Sequence, residues 1–193
     1  DGFVREQERL MEKCGAVTVT RGSPQYPPLL DAFSSAPPVL FVRGDPAALL
    51  CPAVAFVGTR HPTQWGVSMT GRLVTGASLA GYCTVSGMAA GVDTAAHRAA
   101  LDTGGRTVAV FGCGVDMIYP TGNRELADEI AGSGCLVSHF LMGTPPAQGN
   151  FPARNAVIVG LSLASVVVEA PVRSGALITA RLALEQGREV FAV

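Results

Sequence analysis

An arginine in a glycine turn at the end of a buried strand is one way for a protein to hold an anion. Residues 53–62, AVAFVGTRHP, read as an apolar strand that runs into Gly58, Thr59 and Arg60. A dinucleotide site would continue with further glycines, G-x-G-x-x-G, so that bare backbone approaches a pyrophosphate at a helix N-terminus. A guanidinium stands there instead, which predicts an anion site built around a charge. A second such place is NFPARN, 150–155. The pattern puts Phe151 and Pro152 in a loop and Arg154 in the first turn of the apolar helix that follows, the end at which the helix dipole disfavours a cation. An anion would relieve that cost. Phosphate contact beside a stacking surface is what a single-stranded nucleic acid requires, although a Phe151 that plugs the core explains the ring equally well.

Both places depend on the elements that carry them. From residue 53 a short apolar run, a Gly or Ser turn and a helical stretch recur. Strands are expected at 53–58, 83–87, 107–112, 135–140, 165–170 and 189–193, and helices near 64–81, 92–102, 122–132, 153–163 and 175–187. Strands alternating with helices imply right-handed crossovers and a parallel sheet covered on both faces. Thr63, Asp93, Asn123 and Ser174 stand where N-caps belong, and Gly81, Gly104, Gly132 and Gly187 where helices stop. Before residue 53 the chain is rich in proline, which forbids a long helix. PVLFVRG, 38–44, reads as a strand at a sheet edge, and residues 1–14 as one short helix. The expected organisation is a helix and proline-rich extension over 1–52 packed on a core over 53–193. The core stops inside an apolar run, as though cut short at its C-terminus.

Composition narrows the class. The chain has 193 residues, 48% hydrophobic and 15% charged, enough apolar material for a core. Apolar stretches are interrupted well before the roughly 18 residues a membrane span needs, and the start lacks the apolar region of a signal peptide. Cys14, Cys51, Cys83, Cys113 and Cys135 form no C-x-x-C pair and no metal spacing. They read as buried structural thiols of a reducing, cytoplasmic protein. Net charge is −1, and thirteen of the fourteen Lys and Arg residues are arginine, Lys13 being the lysine. Composition bias alone accounts for that excess more readily than function does. Clustered arginines nevertheless suit phosphate through their planar fork.

In an open parallel sheet, ligands bind beyond the carboxyl ends of the strands. The segments that fall there are 58–60, 86–93, 112–123, 142–155 and 170–175, all rich in Gly and Ser, with Arg60, Arg154 and Arg173 adding charge. Ser86 and Ser174 serve as helix caps whether or not they also bind. His97 follows Asp93 by four residues on one helical face, an arrangement for a structural hydrogen bond rather than for catalysis. His61 and His139 form no constellation by sequence.

Taken in order, YPPLL, PPVLFVRGD, VAFVGTR, VSGMAAGVDTAAHRAAL, TVAVFGCGVDMIYPTGN, NFPARN and VVVEAPVRSGALITARLALEQGREVFAV resemble the DNA processing protein A family, DprA or Smf. The resemblance spans about residues 26–193. It implies an α/β, extended Rossmann-like fold with a mostly parallel sheet and helices on both faces. It also implies a homodimer that binds single-stranded DNA, protects incoming strands and loads the RecA recombinase in natural transformation or recombination. No catalytic residue, cofactor or metal is implied. The family's pocket carries over onto Gly58, Thr59 and Arg60, onto Ser86 and Gly87, onto Phe151, Arg154 and Asn155, and onto Ser174 and Gly175. Arg60 is then the phosphate contact and Phe151 the surface for a base.

Two departures stand out. Many members continue F-P-x-R-N-R, where this chain has Ala156, and some carry a lysine a few residues before the phenylalanine, where Gln148, Gly149 and Asn150 supply none. The alternative is a Rossmann-like enzyme that releases bases from nucleoside monophosphates. Such enzymes carry P-G-G-x-G-T-x-x-E near a late strand. The corresponding EAPVRSGALITA lacks both the glycine run and the closing glutamate, so no carboxylate stands ready there for acid–base work.

Overall fold

The computed structural model describes residues 2–172 and 174–193, so Arg173 lies outside the described residues. Helix α1 (Gly2–Cys14) leads into strand β1 (Ala16–Thr20), the single turn α2 (Pro28–Asp31) and strand β2 (Val39–Gly44). The alternating part follows: β3 (Ala53–Gly58), α3 (Gln64–Leu79), β4 (Cys83–Ser86), α4 (Val92–Asp102), β5 (Thr107–Val110), α5 (Arg124–Ser133) and β6 (Cys135–Ser138). It ends with α6 (Asn150–Gly160), β7 (Ala164–Val168), α7 (Gly175–Glu185) and β8 (Glu189–Ala192). The strands form one eight-stranded sheet in the order β1-β2-β6-β5-β4-β3-β7-β8. All pairs are parallel except β1 with β2 and β2 with β6.

Alternation along the strands feeds two faces. Ala55 and Val57 of β3, Val108 and Val110 of β5 and Val137 of β6 point to a core closed by α2, α6 and α7, through Leu30, Val157, Ile158 and Ala183. Phe56, Ala109, Leu136 and Val168 point the other way, under α3, α4 and α5. Each buried Val or Phe contributes about 1.5–3 kcal/mol. The buried Cys83 and Cys113 pack in these layers, and burial pushes their thiols up to about 12 and about 11.

Four local expectations are corrected. PVLFVRG is an interior strand, because the short run AVTVT pairs with it as β1 and takes the edge, with only Ala16 and Val19 buried. The sheet is therefore continuous across residue 52. Asp93 is the second residue of α4 and not its cap, a position held by Gly91, whereas Asn123 does take the N-cap position of α5 but makes no side-chain cap bond. Gly132 sits inside α5, which ends at Gly134. Helix α6 begins at Asn150, so Phe151 and Pro152 lie in its first turn, where proline's missing N–H goes unneeded.

Candidate functional site

Strand order reverses between β3 and β7, so the chain leaves the two in opposite lateral directions and a crevice opens past their carboxyl ends. A cavity of about 330 Å³ occupies it, bordered by Gly58, Thr59, Arg60, Phe151, Ser174 and Gly175 among others. Gly58 is required there: a Cβ would overlap the Val168 carbonyl of the neighbouring strand. Gly91, at φ +83°, lets α4 begin against the same turn, with Val92 N–H donating to Thr59 O at 3.1 Å. The turn is closed by Thr59 Oγ1, which accepts from His61 N–H at 3.2 Å. Its far end is held by Glu169, whose carboxylate accepts from Thr63 N–H at 2.8 Å and from the Thr63 hydroxyl. Those bonds hold the Glu169 carboxyl below its ordinary range. Glu169 does this from a backbone φ of +48°, uncommon for any residue but glycine.

Arg60 is exposed, and among the described residues no carboxylate forms an ion pair with it. Its Cζ lies 5.8 Å from the centre of the Phe151 ring, and the Arg154 Cζ lies 5.6 Å from the same centre. Two guanidinium groups thus lie within cation–π range of one half-buried aromatic ring.

Arg154 differs from Arg60 in depth. It is 7% exposed. Its Nη1 donates to the Gly87 carbonyl and to Val110 O at 2.9 Å, and its Nε to Asn155 Oδ1 at 3.0 Å. The unfavourable dipole at the start of α6 is therefore answered by carbonyls at the ends of β4 and β5. A Cβ at Gly87 would overlap the guanidinium, so a larger residue there would have to displace Arg154. Asp93 completes the floor, accepting from Gly87 N–H at 3.1 Å and Ala89 N–H at 3.2 Å. Burial pushes its carboxyl up while Arg154 and these N–H groups oppose the rise, and burial pushes the Arg154 guanidinium down while Asp93 opposes that.

Among the predicted residues, Gly58, Thr59, Arg60, Phe151, Arg154, Asn155, Ser174 and Gly175 border one cavity. Asn155 donates from Nδ2 to Gly175 O at 3.3 Å, tying α6 to the start of α7. Ser174 takes the N-cap position of α7 without a side-chain cap bond, and its buried hydroxyl has no partner among the described residues. Ser86 is a correction: fully buried, it donates to Phe56 O at 2.6 Å and lies under the floor, out of a ligand's reach. Of segment 142–155, only Phe151 onward reaches the cavity. His61 borders it, whereas His139 lies beside a separate cavity with Phe33 and Ala156. His97 is structural, but its partner is Thr107 and not Asp93: Nδ1 meets Thr107 Oγ1 at 2.7 Å. Because that hydroxyl gives its proton to Thr84 O, the imidazole donates from Nδ1.

Sequence reasoning missed three participants. Asp93 was readable as a carboxylate in a Gly-rich turn. Glu169 carries no signal beyond following a buried strand. Tyr119, with Pro120, borders a second cavity of about 190 Å³ that shares Arg60, Phe151 and Arg154 with the first.

The sequence profile of the DNA recombination-mediator protein A family matches residues 17–193. Protein Smf of Synechocystis is 45% identical over 91% of this chain and 45% of its own length. DNA processing protein DprA of Streptococcus pneumoniae is 42% identical over 87% and 59%. The chain thus spans about half the length of these curated relatives. The crystal structure of the S. pneumoniae protein superposes with a TM-score of 0.88 at 38% identity, covering 96% of this chain and 66% of that one. That of Helicobacter pylori DprA, described for its single-stranded DNA binding mode, superposes at 0.84 and 32% identity, covering 92% and 80%. A molybdenum cofactor binding protein of Rippkaea orientalis, 18% identical over 73% of this chain and 75% of that one, shares the fold alone, with a TM-score of 0.54. With the profile covering nearly the whole sequence and close structural likeness at these identities, this chain belongs to the DNA recombination-mediator protein A family.

Proposed function

We propose that this chain is the single-stranded DNA-binding core of a recombination mediator, acting in the cytoplasm as a homodimer that protects incoming strands and passes them to RecA. The observation that carries the reading is the closeness of an exposed Arg60, without a carboxylate partner among the described residues, to the half-buried Phe151 ring at the mouth of the switch-point crevice. Arg60 takes a phosphate through its planar fork. Phe151 offers its face to a base, a contact every base can make. Ser174 and the first N–H groups of α7 supply further donors on the far wall. Gly58, Thr59 and Gly87 shape the walls, and Arg154 and Asn155 hold the floor rigid beneath them. The roles are those of binding: Asp93 and Glu169 spend their carboxylates on backbone N–H groups of the scaffold.

Anisotropy titration of single- against double-stranded DNA of equal length tests this, with hydrolysis of nucleoside monophosphates followed in parallel. Selective binding of single strands without turnover is expected. Equal affinity for duplex and single strand removes the basis of the reading, and enzymatic release of bases replaces it with the nucleotide-processing one. In the full-length protein, RecA filament formation on coated strands tests the partner directly.

A further inference from the structure

Phe151 borders two cavities, and only the larger one is needed for a single base. The smaller is lined by Tyr119, Pro120, Phe111, Gly112, Phe151 and Arg60 among others. Tyr119 is 46% exposed although it adjoins a pocket. Its ring centre lies 6.4 Å from that of Phe151, with the planes inclined by 32°. A base inserted between two rings needs two stacking intervals of about 3.4 Å each, or about 7 Å. A separation of 6.4 Å is also that of two rings packed directly on each other, so a base enters between them as the exposed Tyr119 ring swings outward. Gly112 keeps the Phe151 ring in place, because a Cβ there would meet its edge at 2.9 Å. Arg60 borders both cavities, where a phosphate joining two nucleotides would pass.

Resting on the single-strand reading above, we infer that the site binds a dinucleotide step: one base in the switch-point cavity, the next between Tyr119 and Phe151, and the linking phosphate on Arg60. Tyr119 is then a binding residue in its own right. The walls of the smaller cavity are mainly apolar, so the second subsite takes any base by stacking.

Competition against a labelled thymidine oligonucleotide, using thymidine mononucleotide and dinucleotide as competitors, tests this. The dinucleotide is expected to bind about tenfold more tightly than the mononucleotide, as one added stacked base implies. Tyr119→Ala should erase that gain while leaving mononucleotide affinity unchanged, and Tyr119→Phe should keep it. A dinucleotide carrying an abasic second position should bind parent and Tyr119→Ala alike. If Tyr119→Ala melts early, Tyr119→Leu, which fills the space without a π-face, carries the same comparison. The inference is overturned if parent shows no gain from the second nucleotide, if the tyrosine variants retain it, or if they lose the same factor on the mononucleotide and abasic probes. Failure of the parent to bind the labelled oligonucleotide at all is a different result and overturns the single-strand reading itself.

Discussion

Arg60 and Arg154 are chemically identical and energetically opposite. The first is exposed and touches no carboxylate among the described residues; the second is buried and bonded to two strand-end carbonyls. Arg60→Ala should therefore leave the melting temperature unchanged, weaken single-strand binding, and reduce the slope of log affinity against log salt by about 0.7, one counterion's worth. Salt titration of parent and variant reads this directly. Phe151 lies between these extremes. Because its ring borders two cavities, Phe151→Ala should cost roughly 1–3 kcal/mol of DNA affinity with little change in melting. A loss of about 3–5 kcal/mol in folding stability, with binding intact, would identify a core plug instead. His97 gives a pH signature. Burial, aided by the nearby Arg154, pushes its imidazole from 6.5 down to about 3, so the unfolded chain binds a proton that the native one refuses. Stability is unaffected above pH 6.5 and falls as pH drops from there toward 3, by up to roughly 4–5 kcal/mol. Denaturant midpoints across that range should show the fall in the parent and a smaller one in His97→Gln, in which carboxylates such as Glu169 still titrate. The types and spacing of Arg60, Phe151 and Ser174 were legible in the sequence because each sits in a turn whose chemistry is local. The burial of Arg154 and Ser86 was not, since depth depends on which strand ends converge on them.

Elements place these residues, and their ends matter more than their middles. The turn bearing Arg60 is anchored through Thr63, which caps α3 by accepting from Gly66 N–H at 3.1 Å and is itself bonded to Glu169. Thr63→Ala should cost about 1 kcal/mol of stability, as loss of an N-cap does, and should weaken DNA binding as well, because the Arg60 turn loses its anchor. A Thr63→Ser variant, which keeps the hydroxyl, should restore both in melting and anisotropy measurements. The helices and the six parallel strands were readable from periodicity, as were the Thr63 cap and the stops at Gly81, Gly104 and Gly187, all three at positive φ. What escaped was relational. AVTVT lies outside the alternating part and buries only Ala16 and Val19, so it does not announce itself as a strand, and without it β2 looks like an edge. The start of α6 escaped because proline reads as a loop residue, although it is equally suited to a first helical turn.

At the scale of the molecule, the reversal of strand order means that the two walls of the crevice belong to distant stretches of chain. The Thr63–Glu169 bond, which spans one wall to the other, joins residues 106 apart in sequence. Local helices and the β3–β4–β5 crossovers can close early, whereas β7 finds its place beside β3 only after the intervening chain has been organised, and such non-local pairings are slow. Ligand competence should thus be a late event in refolding. In a stopped-flow experiment, far-ultraviolet circular dichroism should recover most of its amplitude before a labelled single strand begins to bind. Simultaneous recovery of both signals would show that the β3–β7 pairing forms with the earliest structure. On the proposed reading, a chain emerging from the ribosome would have no complete DNA site on its first half alone, because the half that carries Arg60 has no opposite wall until Phe151 and Ser174 have been made.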